Sequence, residues 1–217
     1  MSIKRNLDEV MIAKMNSEIV EGKWTPGENL SLEHFMETYG VSRTPVIQAL
    51  KKLNAMGVVD FTSRGHFRVP EYTEKQVKDI CDMRLMLETR AIDEIEEKEI
   101  TPDFETLEII CRKSIANNDA GEMIDARLND LDFHRILVMQ ARNECLSELF
   151  SRVQSKFKVA NYLLTSYTHE AERYACDDHA DMIANLKTKD YNEVRRILTK
   201  HIGGACDKIL EKMAIAS

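Results

Sequence analysis

Proline and glycine are scarce in this chain, 4 and 8 of its 217 residues. So few helix breakers leave room for long helices and argue against a linker-rich or turn-rich β protein. No run of about 18 apolar residues occurs, so no membrane-spanning helix is expected. The 5 cysteines, Cys81, Cys111, Cys145, Cys176 and Cys206, are odd in number, widely spaced and never paired as CxxC. That excludes a disulfide framework and reads as buried thiols in a reducing cytoplasm. Met1-Ser2-Ile3-Lys4-Arg5-Asn6 leads straight into an amphipathic helix rather than a signal peptide. Also missing are HExxH, a glycine-rich phosphate loop, and a Ser or Cys beside a base, which weighs against an enzyme. What remains is a helix-rich globular protein, 43% apolar, with length for one large domain or two small ones.

Positive charge is in short supply overall: the net charge is −7. Its distribution is uneven. Residues 1–70 carry 9 Lys and Arg against 8 Asp and Glu, a net +1, and the remainder carries 21 against 29, a net −8. The acidity lies in the second part of the chain. A near-neutral first part makes non-specific attraction to phosphate weak, because charge neutralisation supplies most of that affinity.

The most informative stretch is Gly40-Val41-Ser42-Arg43-Thr44-Pro45-Val46-Ile47-Gln48-Ala49-Leu50-Lys51-Lys52-Leu53. Gly40 permits a tight turn, Ser42 can N-cap the following helix, and Pro45 fits its first turn. Val46, Ala49, Leu50 and Leu53 share one face, leaving Arg43, Thr44, Ile47, Gln48, Lys51 and Lys52 on the other. A shorter amphipathic helix with Leu32, Phe35 and Met36 begins after Ser31. Two short helices around a glycine turn form a helix-turn-helix whose second helix reads the major groove. Val58–Thr62 and His66–Val69 then read as two strands around Ser63-Arg64-Gly65, a wing able to lie on a phosphate backbone with Arg64, Gly65 and His66.

Glu21–Leu30, Gly40–Val46 and Leu53–Val59 together resemble the winged-helix domain of GntR-superfamily transcription regulators over roughly residues 5–69. The resemblance implies operator binding, with Arg43, Thr44, Gln48, Lys51, Lys52, Arg64, Gly65 and His66 as candidate DNA contacts. One departure stands out: Ile47-Gln48 occupies the place of the usual Arg-Glu, so an arginine that commonly contacts DNA in the family is missing.

The first helix is expected over 3–21, with Val10, Met11, Met15, Ile19 and Val20 inward. Residues 1–70 form the reading head, 71–76 the linker and the start of the next helix, and 77–217 a helical bundle. Its six helices are expected at about 73–98 (a Thr73/Gln76 capping box), from Thr101-Pro102 to Gly121, 122–140, 144–166, 169–187 and 190–213, the last capped by Asp190. With no strand pattern, an antiparallel all-α bundle is the default. The fold class is therefore mainly α, a winged helix-turn-helix followed by a helical bundle.

Met83–Glu88, Asp130–Leu137, Asp178–Ile183 and His201 make this bundle similar to the FCD effector-binding domain of the FadR branch, in its six-helix VanR-like form. Asp130 and His134, four residues apart, leave one helix face and can share an ion. His179 and His201 stand 22 residues apart, a separation that lets two antiparallel helices bring both rings to one level. The family's Asp/His/His/His pattern implies that Asp130, His134, His179 and His201 bind a metal. Three imidazoles and a carboxylate suit Zn, Ni, Mn or Fe, and ligand softness does not choose among them. His34, His66 and His169 fall outside the pattern.

The resemblance further implies a small carboxylate effector at the metal, with Arg84 as a second anchor, since guanidinium pairs carboxylate bidentately. The alternative for Arg84 is an intrahelical pair with Glu88. Asn143 stands where the family has a polar pocket residue, or it caps a helix. The expected function is a cytoplasmic, ligand-responsive regulator that binds a roughly palindromic operator as a homodimer. Two other readings remain: a metal sensor in which the ion is the signal, and a metal-dependent hydrolase.

Overall fold

The computed structural model describes residues 2–20, 23–164 and 169–216, with the side chains of 2–9, 20, 123–124, 162–164, 169–174 and 216 outside the description. Val20's side chain, Glu21 and Gly22 of the first motif, and the expected end of the fourth bundle helix at 165–166 lie outside the described residues. The chain forms two compact units, residues 1–73 with 155–164, and residues 74–154 with 165–217.

The first unit starts with α1 (Ser2–Val20), α2 (Leu32–Tyr39) and α3 (Arg43–Ala55). On α1 the buried face is Met11, Met15 and Ile19, a four-residue spacing. Val10 lies one helical step, about 100°, off that stripe and is exposed at 44%, contrary to the inward position expected. Ser31 caps α2 by accepting from His34 N at 3.1 Å, and Gly40 closes it at φ 63°. That left-handed conformation is cheap only without a Cβ. Ser42 occupies the N-cap position of α3, but its side chain makes no capping hydrogen bond.

At the other end of α3, Gly57 N bonds Asn54 O at 2.9 Å and Val58 N bonds Leu53 O at 2.9 Å. This is a Schellman closure, with Gly57 at φ 77°. It uses Val58 and Val59 as a buried helix exit, so the strands are shorter than expected. They are β1 (Asp60–Phe61) and β2 (Phe67–Arg68), antiparallel with Phe61 opposite Phe67. Residues 28–30 add a further rung, with Leu30 N to Phe67 O at 2.8 Å and Val69 N to Glu28 O at 2.9 Å.

This core gathers Met15, Ile19, Trp24, Phe35, Leu50, Leu53 and Val69, and also Val159. Val159 belongs to α7 (Glu144–Leu164), far along the sequence. The boundary drawn from sequence assigned all of 77–217 to the bundle. Residues 155–164 instead pack in the first unit.

The second unit holds α4 (Glu74–Glu97), α5 (Phe104–Asp119), α6 (Met123–Met139), the first part of α7, α8 (His169–Thr188) and α9 (Tyr191–Ala216). Within it α4 packs on α6 and α9, α5 on α6 and α8, and α8 on both α6 and α9. Ile92, Ile95, Leu107, Phe133, Leu137, Met182, Leu186, Leu198 and Ile202 form its main core. Helix α5 begins at Phe104 rather than at Thr101-Pro102. Asp103 is its cap, accepting from Thr106 N at 3.1 Å, because a carboxylate reaches the free N–H groups of the first turn. Asp190 caps α9 as expected, accepting from Glu193 N at 3.1 Å.

Every described cysteine is free, and four of the five are buried; Cys145 is exposed, against expectation. No described helix is long and apolar enough to cross a membrane.

Candidate functional site

Helix α6 turns Asp130 and His134 to one face, one turn apart. Helix α8 brings His179 to the same place, and α9 brings His201. The ligand atoms of all four lie within 4.8 Å of one another. His134 Nε2 is 3.0 Å from His201 Nε2 and 3.2 Å from His179 Nε2. Asp130 Oδ1 is 3.4 Å from His179 Nε2, 3.6 Å from His201 Nε2 and 4.0 Å from His134 Nε2. The sequence-derived ligand set is thus one cluster.

Two of the rings are held from behind by carboxylates. Glu88 Oε2 lies 2.6 Å from His134 Nδ1, and Glu88 Oε1 accepts from Arg84 Nε at 2.7 Å. Asp178 Oδ2 lies 3.4 Å from His201 Nδ1, and Asp178 Oδ1 accepts from Lys200 Nζ at 3.3 Å. His179 is positioned differently, stacked on Phe133 with centroids 3.9 Å apart and planes 15° apart.

Burial pushes the pKa of His134 well down, helped by the Arg84 guanidinium and opposed by Asp130. His179 is lowered by burial and then by the neighbouring His201, His134 and Arg84. Burial pushes the Glu88 carboxyl up, opposed by Arg84. Asp178 ends below the usual carboxylate range because its His201 and Lys200 contacts outweigh its desolvation.

These donors fit a divalent transition metal. A neutral imidazole carries a lone pair on one ring nitrogen, so with the ring protons on Nδ1 the three Nε2 atoms and the Asp130 oxygen would set their lone pairs against one another. A cation among them turns that repulsion into ligation. Ligands about 2.0–2.2 Å from an ion stand about 2.9–3.5 Å from each other, and the two shortest contacts between ring nitrogens fall in that window.

Arg84 forms the intrahelical pair with Glu88 and is fully buried next to the cluster. Asn143 is the N-cap of α7: its Oδ1 accepts from Leu146 N at 3.0 Å and its Nδ2 donates to Glu94 Oε1 at 2.8 Å. Both ends of its amide are therefore engaged away from the metal ligands. The groove it lines, about 510 Å³, is walled by Arg135, Met139, Arg142 and Phe150 and includes none of the four cluster residues. The capping alternative describes what Asn143 does here.

Glu88, offered by the sequence only as a partner for Arg84, and Asp178, offered no role, are the carboxylates that stand behind the His134 and His201 rings. The signal was present in Glu88, a carboxylate on the inward stripe of α4 between Leu87 and Ala91. For Asp178 the signal was adjacency to His179.

In the first unit, Arg43, Thr44, Gln48, Lys51 and Lys52 are all exposed along α3. Arg64, Gly65 and His66 are exposed at the turn between β1 and β2, where Gly65 takes φ 83°. Thr62 shapes that turn, its Oγ1 accepting from His66 N at 3.1 Å. Ile47 is half-buried. His34 sits apart, 3.5 Å from Glu18 and edge-on to Trp24. The side chain of His169 lies outside the described residues.

Comparison with known proteins matches the family model described as bacterial regulatory proteins, gntR family, to residues 8–69, and the FCD domain to residues 79–204. The chain is 28% identical over 200 residues to the HTH-type transcriptional regulator YdhC of Bacillus subtilis (strain 168), covering 90% of this chain and 88% of that protein. It is 26% identical over 204 residues to the gluconate operon transcriptional repressor of the same organism, covering 90% and 82%. Among solved structures, McbR/YncC of E. coli superposes with a TM-score of 0.78 at 21% identity, covering 95% of this chain and 98% of that one. With a gntR-type helix-turn-helix ahead of an FCD helical domain, the chain belongs to the GntR family of bacterial transcription regulators, in its FCD-containing branch.

Proposed function

We propose that this chain is a ligand-responsive cytoplasmic regulator that binds a roughly palindromic operator as a homodimer. A small carboxylate effector and a divalent transition metal (Zn, Ni, Mn or Fe) share its second unit. The observation that carries this reading is the convergence of three Nε2 atoms and Asp130 Oδ1 in the bundle interior. Asp130, His134, His179 and His201 hold the ion, which when bound supplies a Lewis-acid position beyond its protein ligands for a carboxylate oxygen. Arg84 is buried in its pair with Glu88, and a carboxylate effector would share its guanidinium with that pair. One relative is named for repressing the gluconate operon, which makes hydroxy carboxylates the first ligands to try.

In the first unit, Arg43 reads a guanine edge or a phosphate, and Thr44 with the α3 N-terminus binds phosphate. Gln48 faces the groove, Lys51 and Lys52 add sequence-independent attraction, and Arg64, Gly65 and His66 lie along the backbone or minor groove. The test uses operator fragments selected from random duplexes at low salt, together with elemental analysis of the purified protein. Arg43→Ala is expected to weaken operator binding by about 1–3 kcal/mol if Arg43 reads a base, with metal content unchanged. Protein that ignores every duplex overturns the reading head. Protein that takes up no divalent metal overturns the sensor half.

A further inference from the structure

A neutral imidazole has one N–H and one lone pair, so whichever nitrogen takes the proton gives up ligation. At this cluster the outer nitrogens of two rings face carboxylates, which when ionised only accept. At Glu88 the Arg84 guanidinium on its other oxygen favours that form against burial. His134 Nδ1 meets Glu88 Oε2 at 2.6 Å, with both side chains completely buried. His201 Nδ1 meets Asp178 Oδ2 at 3.4 Å. Each carboxylate is in turn held by a cation on its other oxygen, Arg84 for Glu88 and Lys200 for Asp178. His179 has no such clamp: its Nδ1 is buried without a hydrogen-bond partner among the described residues, and its ring plane is set by Phe133.

Resting on the reading of the cluster as a metal centre, we propose that Glu88 and Asp178 are positioning residues that keep the ring proton of His134 and His201 on Nδ1. Their Nε2 lone pairs then point to the ion. A structural role for Glu88 would need only its pair with Arg84. The second oxygen goes to His134, at the shortest contact in the cluster. The two clamps are unequal. Glu88 is dry, whereas Asp178 is 18% exposed, more distant from its ring, and shared with the exposed Lys200. Outer carboxylates of this kind strengthen metal binding by fixing ring orientation and raising ligand basicity.

Zinc affinity is to be measured on the full chain by competition with a chromophoric chelator, for wild type, Glu88→Gln, Asp178→Asn and Asp93→Asn. Asp93 pairs with Arg195 and serves as a control for loss of a carboxylate from the same unit. Affinity is expected to fall about 10- to 100-fold in Glu88→Gln, by a smaller factor in Asp178→Asn, and not at all in Asp93→Asn. Glu88→Gln also leaves Arg84 buried without its counter-charge, so a change in stability alone decides nothing. Two further readouts separate positioning from structure. Asp178→Asn should lower the melting temperature without metal by no more than Asp93→Asn does, while of these two only Asp178→Asn loses zinc affinity. Long-range 1H–15N spectra of the metal-free protein should show His134 and His201 protonated on Nδ1 in wild type, with each ring passing to a mixture of tautomers in its own variant. Wild-type rings protonated on Nε2, or variants that bind zinc as tightly as wild type, would overturn the positioning proposal alone. Wild-type protein that binds no zinc, nickel, manganese or iron overturns the metal reading and takes this proposal with it.

Discussion

His134 and His179 are fully buried, and burial penalises the imidazolium more than any neighbouring charge favours it. Their folded-state pKa values therefore lie below the value of about 6.5 that the same rings have in an unfolded chain. Below that unfolded value the open chain takes up protons that the folded chain refuses, so stability must fall as pH falls and is fully present above it. Metal-free protein should accordingly show a lower urea midpoint at about pH 5.5 than at about pH 7.5, a range in which unfolded carboxylates, at about 4, barely titrate. His179→Gln should flatten part of that slope. Glu88 opposes this slope, because burial pushes its carboxyl up. The ring contribution is therefore read from the change of slope in His179→Gln, and an unchanged slope in that variant would mean that His179 is not held neutral. The identities of the cluster residues were legible because an i, i+4 pair and two histidines 22 residues apart can be phased on helices without coordinates. Their surroundings were not. Whether Arg84 would pair with Glu88 or reach for a ligand depended on burial, which one sequence does not reveal.

Helix α7 carries the clearest lesson at the level of elements. Its periodicity announced a helix from 144 onward, but periodicity reports which face is apolar and not which core that face enters. Val159 is fully buried in the core of the first unit, along with Met15, Phe35 and Leu50. The reading head is therefore a two-segment structure, and residues 1–73 by themselves lack part of their core. Val159→Ala should destabilise the first unit by on the order of 2 kcal/mol, from lost burial and the cavity left behind. Hydrogen exchange on the full chain can check this. Amides of α1 and α3 should exchange faster in the variant, while those of α8 and α9 keep wild-type protection. Equal protection of α1 and α3 in the two proteins would remove Val159 from that core. Caps were legible to within a few residues for the same reason that helices were. Asp190 and Ser31 were recognised as polar residues ahead of an apolar period. Thr101-Pro102 looks like a helix start in the sequence, yet it is the Asp103 carboxylate that reaches Thr106 directly. Val58 and Val59 read as strand in the sequence because a β-branched apolar pair looks like one even when it is the buried exit of a helix.

For the whole molecule, regulation requires that ligand and operator bind to linked states of one chain. The linkage is reciprocal whatever the path between the sites: an effector that changes operator affinity by a factor must have its own affinity changed by the same factor. For a coupling of about 1–3 kcal/mol that factor is roughly 5 to 150. The ion and the carboxylate are then distinguishable. An ion held by four protein ligands, two of them clamped from behind, is expected to stay bound through the regulatory cycle, so its affinity should not depend on operator. It should still stabilise the fold, by about 4 kcal/mol when free metal exceeds its dissociation constant a thousandfold, which is seen as a drop in melting temperature on chelation. Zinc titrations with and without a selected operator should therefore superimpose. A panel of hydroxy and keto acids, titrated into zinc-loaded protein, should contain at least one member whose affinity shifts with operator present. Operator affinity should then shift equally with that acid present. If zinc affinity itself moves with operator while no acid does, the ion is the signal, and the carboxylate is not what this protein senses.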